Sequence, residues 1–238
     1  MFSVTGFRFS FTSSWKMLCL ALVSICLLIS LGIWQLHRAA EKRGLLAMYQ
    51  TQMQRAPVAL SGTSAQQYQR VQVQGLAQLP ITLLLDNQHH AHQFGYDVLT
   101  PLIMVDGNVL LIDQGWVPGD PSRVSLPDMT GLQSDLHYSG QVYYPAKSAF
   151  VLGVGLEVKT PNVIVIESLN MTMISQFLHK PVYPFIIRQS AERQTRFVRD
   201  WPIVASSPVR HIGYAVQWFI FALGVGVMFI VFHTKRLT

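Results

Sequence analysis

The arrangement in this chain best suited to chemistry is a histidine followed by aromatic residues, in Arg210-His211-Ile212-Gly213-Tyr214-Ala215-Val216-Gln217-Trp218. On an α-helix His211, Tyr214, Ala215 and Trp218 fall on one face. An imidazole with aromatic walls can ligate the iron of a planar, apolar cofactor, and the cation of Arg210 suits the carboxylates such a cofactor carries. The plainer reading is a membrane-boundary helix, in which His211 reaches toward headgroups and Tyr214 and Trp218 join the aromatic belt. Both readings stand on these residues.

Two further clusters invite chemistry. In Asp86-Asn87-Gln88-His89-His90-Ala91-His92, a strand would turn His90 and His92 the same way, as two metal ligands require. Two imidazoles without a placed third ligand make a poor site, and a polar loop after Leu85 is the simpler reading. Arginine also thickens before the second apolar stretch, at Arg188, Arg193, Arg196, Arg199 and Arg210, against Glu192 and Asp200. Such a run serves phospholipid headgroups, a partner or a carboxylate ligand, or is merely a solvated juxtamembrane segment. The sequence carries no Gly-rich phosphate loop, nucleophile elbow, HExxH or CxxCH. The acidic residues are scattered singly. Catalysis is therefore not the expected function, and a membrane-tethered enzyme working near Asp86 and His89 to His92 is the weakest alternative.

The elements that must position these residues begin with two apolar stretches. Met17–Leu36 and Ile212–Phe232 carry no charge, and about twenty helical residues match a hydrocarbon core of about 30 Å. The first is longer than the core of a signal peptide and ends in Trp34, Gln35 and Leu36, which predicts an uncleaved anchor. Only 13% of the chain is charged, about half the fraction in soluble domains. All twelve acidic residues lie between the stretches, where they nearly balance the Lys and Arg, so the net charge of +6 comes mostly from the tails and does not point to nucleic acid. The expected organisation is a tail (1–16), a transmembrane helix (17–36), a domain (37–211), a second transmembrane helix (212–232) and a tail (233–238). Short basic tails (Arg8, Lys16, Lys235, Arg236) place both ends in the cytoplasm and the domain outside. Arg38, Lys42 and Arg43 argue the other way, but long domains cross largely regardless of charge. Cys19 and Cys26 both lie in the first stretch, which leaves the domain without a disulfide.

The domain reads as α+β, mainly antiparallel sheet, with curling into a barrel as a possibility of the pattern. Residues 39–56 extend the first helix amphipathically, weakened at Gly44 and ending before Pro57. Tyr68–Gly75 alternates as a half-buried strand, and Ile81–Leu85 is an apolar strand. Val98–Val105 and Val109–Val117 form a hairpin about Asp106-Gly107-Asn108. Gly140–Tyr144, Asn162–Glu167 and Tyr183–Ile187 are further strands, and Leu169–His179 is a short helix behind Ser168. Trp116, at a strand end before Pro118, reads as a core plug. Because the two spans run in opposite directions, Trp34, Gln35, His37 and Arg38 reach the depth at which His211, Tyr214 and Trp218 begin. Ser24, Gly32, Gly224 and Gly226 offer small positions for close helix approach.

Five landmarks in order resemble the surfeit locus protein 1 family of cytochrome c oxidase assembly factors. They are Gly32-Ile33-Trp34-Gln35-Leu36-His37-Arg38 with Lys42; Tyr68, Val71 and Gly75; Gly95-Tyr96-Asp97-Val98-Leu99-Thr100-Pro101-Leu102; Val109–Pro118 (VLLIDQGWVP); and His211-x-x-Tyr214-Ala215-x-x-Trp218-Phe219. Gln114 departs from the family pattern, which has Arg before Gly-Trp-Val-Pro, and residues 146–199 match only loosely. The resemblance implies a protein of the inner (plasma) membrane that crosses it twice and keeps its domain on the periplasmic side. It implies haem a as a transient cargo, with His211 as axial ligand to the haem iron, and the oxidase catalytic subunit as partner, with the haem a synthesis enzyme as another. Gln35, Tyr214 and Trp218 line the expected site, and charge and depth add Arg38 and Arg210 as propionate partners. The alternative within the same resemblance is a scaffold that grips the oxidase subunit and carries no haem.

Overall fold

The structure is a computed structural model that describes residues 2–6, 9–129, 132, 135–145, 155–191 and 197–236. Arg8, Glu192, Arg193 and Arg196 lie outside the described residues, as does the stretch 146–154. In chain order the elements are β1 (Phe2–Gly6), β2 (Phe9–Ser13), α1 (Trp15–Met53), β3 (Val58–Ala59), β4 (Arg70–Gln74), β5 (Ala77–Gln78), β6 (Thr82–His90), β7 (Gln93–Ile103), β8 (Val109–Pro118) and β9 (His137–Tyr143). They continue with β10 (Leu156–Thr160), β11 (Val163–Ile166), α2 (Met171–Leu178), β12 (Val182–Gln189), α3 (Pro208–His233) and β13 (Thr234–Arg236). The chain divides into Tyr49–Trp201, a sheet domain, and a helical unit of Met1–Met48 with Pro202–Thr238.

In the helical unit, α1 and α3 are long and apolar enough to span a bilayer, which marks a membrane protein. Their buried and half-buried positions recur at coiled-coil spacing: Ala21, Leu28, Gly32, Gln35 and Ala39 on α1, and His211, Ala215, Trp218, Ala222 and Val225 on α3. Small residues at these positions let the backbones close up, since lipid tails are as apolar as leucine and supply no hydrophobic drive between helices. A Cβ added to Gly32 would lie 2.5 Å from the Phe219 ring, so the ring fills the space the glycine leaves. At Gly226 the nearest atom, on Ile25, would be 3.8 Å away, an ordinary contact. Gly224 departs from its expected role: it faces outward, and a Cβ added there would meet none of the described residues within 4 Å. Ser24 donates to Leu20 O of its own helix at 2.8 Å, which satisfies the hydroxyl locally. Beyond the helices the two tails pair. β2 accepts β1 on one side and β13 on the other, both antiparallel, with Thr234 opposite Phe11.

The sheet domain is built around β7 and β8, joined by a turn at Asp106-Gly107-Asn108 with Gly107 at φ 79°. The strand order is β10-β11-β6-β7-β8-β12-β9-β4-β3, with β5 paired to β7. Three pairings are parallel, β11 to β6, β12 to β8 and β3 to β4, so the sheet is mixed. It is not a barrel. The edge strands β10 and β3 do not pair, because β3 has two residues and β10 shows an exposed, charged edge (Glu157, Lys159). Alternation along β8 sends Val109 and Leu111 to one face, with Leu83, Leu99, Ile164 and Ile186. α2 covers this face through Ile174. Leu110 and Ile112 go to the other face, with Val71, Val142, Phe185 and Ile187.

α2 starts later than the pattern suggests. Asn170, not Ser168, is its N-cap, and its carboxamide oxygen accepts from Thr172 N and Met173 N at 3.1 Å. β10 has no counterpart in the sequence reading, since its residues (LEVKT) are mostly polar and exposed. The last turn of α1 belongs to this domain: Tyr49 meets Tyr68 edge to face, and Gln52 donates to Gln66 at 2.9 Å.

A bulge interrupts the central hairpin. Asp97 opposes Trp116 while Leu99 opposes Asp113, so Gln114 and Gly115 face one residue. Gly115 takes φ 125°, and a Cβ there would lie 2.8 Å from Val198 O. The bulge gathers a buried ionic cluster. Arg188 of β12 is paired in register with Asp113, its Nε 3.9 Å from the Oδ2, and its guanidinium lies 3.5 Å from the Tyr143 ring and 5.0 Å from that of Trp201. Burial pushes Asp97 up to about 6 against the pull of Arg188; burial, aided by Asp97, pushes Asp113 upward as well.

Two outcomes follow from this packing. Gly32→Leu should cost about 1–3 kcal/mol of stability through overpacking, whereas Gly224→Leu should cost little. Thermal unfolding of the detergent-solubilised protein compares them, and equal losses would contradict the packing described. For Asp97, the folded state holds its proton to higher pH than the unfolded chain does, so stability should fall as pH rises from about 4 through about 6. Asp97→Asn should flatten that decline and gain about 1–3 kcal/mol at pH 7. A steep decline unchanged in the variant would count against the assignment.

Candidate cofactor site at the start of α3

α3 starts sharply. Ser207 is its N-cap, with Oγ accepting from Arg210 N at 3.4 Å, and Pro208 occupies the first helical position, where no N–H is needed. His211 therefore lies in the first turn, on the stripe that faces α1. Both ring nitrogens are engaged: Nδ1 is 2.7 Å from Gln35 Oε1, and Nε2 is 2.9 Å from Ser206 Oγ. Gln35 reaches His211 because it belongs to the α1 stripe that also carries Gly32 and Ala39.

The remaining expected site residues divide. Ala215 is fully buried and Trp218 half-buried, with the Trp218 ring edge-on to Phe221 at 6.1 Å. Tyr214 is exposed, on the flank of α3 and not toward α1. Arg210 is exposed too. Arg38 bonds Glu41 at 2.8 Å and lies 5.7 Å over the Trp34 ring, one turn back on the same helix. The structure thus joins Gln35 to His211, leaves Tyr214 and Arg210 on the outside of the same turn, and occupies Arg38 with its own helix neighbours. Sequence reasoning missed Ser206, since a serine two residues before Pro208 reads only as a turn. It also missed Phe219 as the plug at Gly32.

Chemically, a half-buried imidazole held between an amide oxygen and a hydroxyl is a metal-type ligand with an oriented ring. The exposed aromatic and cation beside it suit a flat amphiphile with an acidic rim. As a donor set this is one imidazole, which can offer a single axial ligand to a planar metal cofactor by giving up one of its two hydrogen bonds.

The other clusters serve structure. Ala91 and His92 form the two-residue turn between β6 and β7, both with positive φ (48° and 65°), so His92 is not on a strand with His90. His90 lies against Trp116 at 5.4 Å and His89 against Phe94 at 6.1 Å. Asp86 pairs with Arg123 at 3.1 Å. Among the described residues, no three His, Cys, Asp or Glu side chains gather as a metal site. Trp116 is buried, and its Nε1 donates to Gln88 O at 3.2 Å, as a core plug should. Two of the clustered arginines are half-buried and held by the domain. Arg188 is stacked as described, and Arg199 donates to Gln114 O, Ser190 O and Gln189 Oε1 at 2.7–2.9 Å, tying the chain across the bulge.

Comparison with known proteins accords with the landmarks. The sequence profile of the SURF1 family matches residues 22–223. A SURF1-like protein of Rickettsia conorii is 22% identical over 228 residues, which cover 91% of this chain and 90% of the relative. A SURF1-like protein of Rickettsia felis is 24% identical over 219 residues, covering 89% and 94%. With the family profile matched from within the first apolar helix to within the second, around a mixed sheet domain, the chain belongs to the SURF1 family, known as oxidase assembly factors.

Proposed function

We propose that this protein binds haem a as a transient cargo and assists its insertion into the catalytic subunit of a haem–copper (cytochrome c) oxidase. The observation that carries this reading is His211, half-buried between α1 and α3, hydrogen-bonded through Nδ1 to Gln35 at 2.7 Å and flanked on its turn by Arg210 and Tyr214. A delivery protein must hold its cargo and then let it go. One imidazole ligand beside an exposed aromatic supports that better than a closed pocket with two fixed ligands. His211 would ligate the iron, Trp218 and Tyr214 would lie against the apolar macrocycle, and Arg210 would meet a propionate. Arg38 joins only by leaving Glu41. The haem iron would supply the bond that makes the cargo specific; the chain's own residues orient the imidazole and exclude water from its inner side.

The protein would cross the inner membrane twice with its tails in the cytoplasm. Short basic tails support that orientation, and β13 paired to β2 brings the two tails together at one end of the helical unit. The domain would then stand in the periplasm, near the oxidase catalytic subunit and the enzyme that makes haem a.

The second reading is a scaffold without haem. Its support is the outward face of α3, where Gly224 leaves a notch beside exposed Ile220, Leu223 and Val227, suited to another protein's helix. The visible absorption spectrum separates the two. Protein purified in detergent from cells that make haem a should show a haem band, and His211→Ala should lose most of it while remaining folded. No band in either protein would favour the scaffold; equal bands would remove His211 as the ligand.

A further inference from the structure

Neither ring nitrogen of His211 faces empty space. The Gln35 carboxamide is placed with Oε1, an acceptor, 2.7 Å from the ring, and this placement assigns the hydrogen between them to Nδ1. A neutral imidazole protonated at Nδ1 has its lone pair at Nε2, and there the Ser206 hydroxyl, at 2.9 Å, donates. The chain of polar groups thus runs in one direction, from Ser206 O–H to Nε2 and from Nδ1–H to Gln35. These two partners differ in place. Gln35 sits in the middle of the α1 stripe, between Gly32 and Ala39, where packing fixes it. Ser206 lies in Pro202–Ser207, the short irregular segment before the α3 cap, where a small backbone change moves it.

We propose that Gln35 and Ser206 control loading of His211: Gln35 is the positioning residue that keeps the proton on Nδ1 and so keeps Nε2 the ligating atom, and the Ser206 hydroxyl is a placeholder on Nε2 that the cargo must displace. The proposal rests on the haem reading above. Its physical content is a competition. Every metal bond to Nε2 is formed at the loss of one hydrogen bond within the chain, which lowers affinity without altering the ligand. That is a route to weak, reversible binding in a site whose ligand would otherwise hold iron tightly. Loss of Gln35 also weakens binding, by another route, because the ring is then free to turn over or to carry its proton on Nε2, the atom the iron needs.

Two measurements on the full-length protein in detergent test this. The first needs no cargo: ¹⁵N-histidine NMR at a pH where His211 is neutral. The Nδ1–H tautomer should dominate in the parent and in Gln35→Glu, which keeps the acceptor, and should give way to a mixture in Gln35→Leu. A dominant Nε2–H form in the parent, or no change in Gln35→Leu, overturns the positioning role. The second is titration with ferric haem a, followed by absorption. Ser206→Ala should bind about three- to tenfold more tightly, the equivalent of one modest hydrogen bond. Gln35→Leu should bind about tenfold more weakly, with Gln35→Glu near the parent. Equal affinities in the parent, Ser206→Ala and Gln35→Leu, with His211→Ala empty, overturn the inference and leave the haem reading intact. No binding by the parent itself overturns the haem reading and the loading role with it.

Discussion

The helical unit turns on a polar contact between its two long helices, the hydrogen bond from His211 to Gln35, made by residues 176 positions apart in the chain. Most of the remaining faces of α1 and α3 are leucine, valine, isoleucine and phenylalanine, which pack equally well at many rotations. Small residues let the helices approach but do not specify which way each one turns. A hydrogen bond near the edge of the hydrocarbon does, because an imidazole or carboxamide left unpaired there loses far more than in water. Once it is made, Gly32 is opposite Phe219, Ala215 is buried, and Tyr214 and Arg210 are carried to the outside. The proposed ligand is therefore also one of the side chains that join the two helices. A ligand drawing on His211 draws on the packing too.

The sheet domain faces the complementary problem of placing charge inside an apolar layer. A strand such as β8, buried on both faces, has no obvious room for Asp113 and Gln114. The bulge makes that room by lengthening one strand against the other, and Arg188 and Arg199 enter from the side. Arg188 lies against the rings of Tyr143 and Trp201, and Arg199 directs its donors to carbonyl oxygens around the bulge. The arrangement ties β8, β12 and the segment around Val198 together, and it does so by burying two carboxyls next to each other. Such a cluster is no measure of stability, because taking the charges out of water offsets much of their attraction.

Much of this was legible in the sequence where one physical signal dominates. Charge-free stretches as long as a bilayer is thick read as spanning helices, and both were found. Alternating or continuous apolar runs marked β4, β8, β9, β11 and β12 in place and the apolar parts of β6 and β7, but β6 runs on through polar residues to His90 and β7 begins at Gln93, five residues before Val98. The family landmarks agreed with the profile and the relatives. What escaped depends on partners far away in the chain. β10 is polar and exposed, and becomes a strand only because β11 offers it an edge. The loop reading holds at Ala91 and His92, which form a left-handed turn that neither residue type advertises, but not at Asp86 to His90, which continue β6. Arg188 and Arg199 read as surface charge because nothing local announces that Tyr143, Trp201 and the bulge will enclose them. At the candidate site, the shared depth of Gln35 and His211 followed from opposite helix directions, but their bond did not, and Ser206 carried no signal beyond its proximity to a helix cap. Gly224 failed as a packing glycine because it lies on the side of α3 that turns away from the stripe.

The small sheet formed by the tails bears on how the chain is made. β1 and β2 are synthesised before α1, and β13 only after the domain and α3 have been completed. Until then one edge of β2 has no strand beside it. It can be covered only when α3 has brought the chain back to the level from which α1 set out, so the sheet closes last and only on a correctly threaded molecule. A chain whose second helix stalled would keep that edge bare, and an unpaired strand edge is a template for pairing with another chain. The pairing of the two tails therefore depends on both long helices being in place.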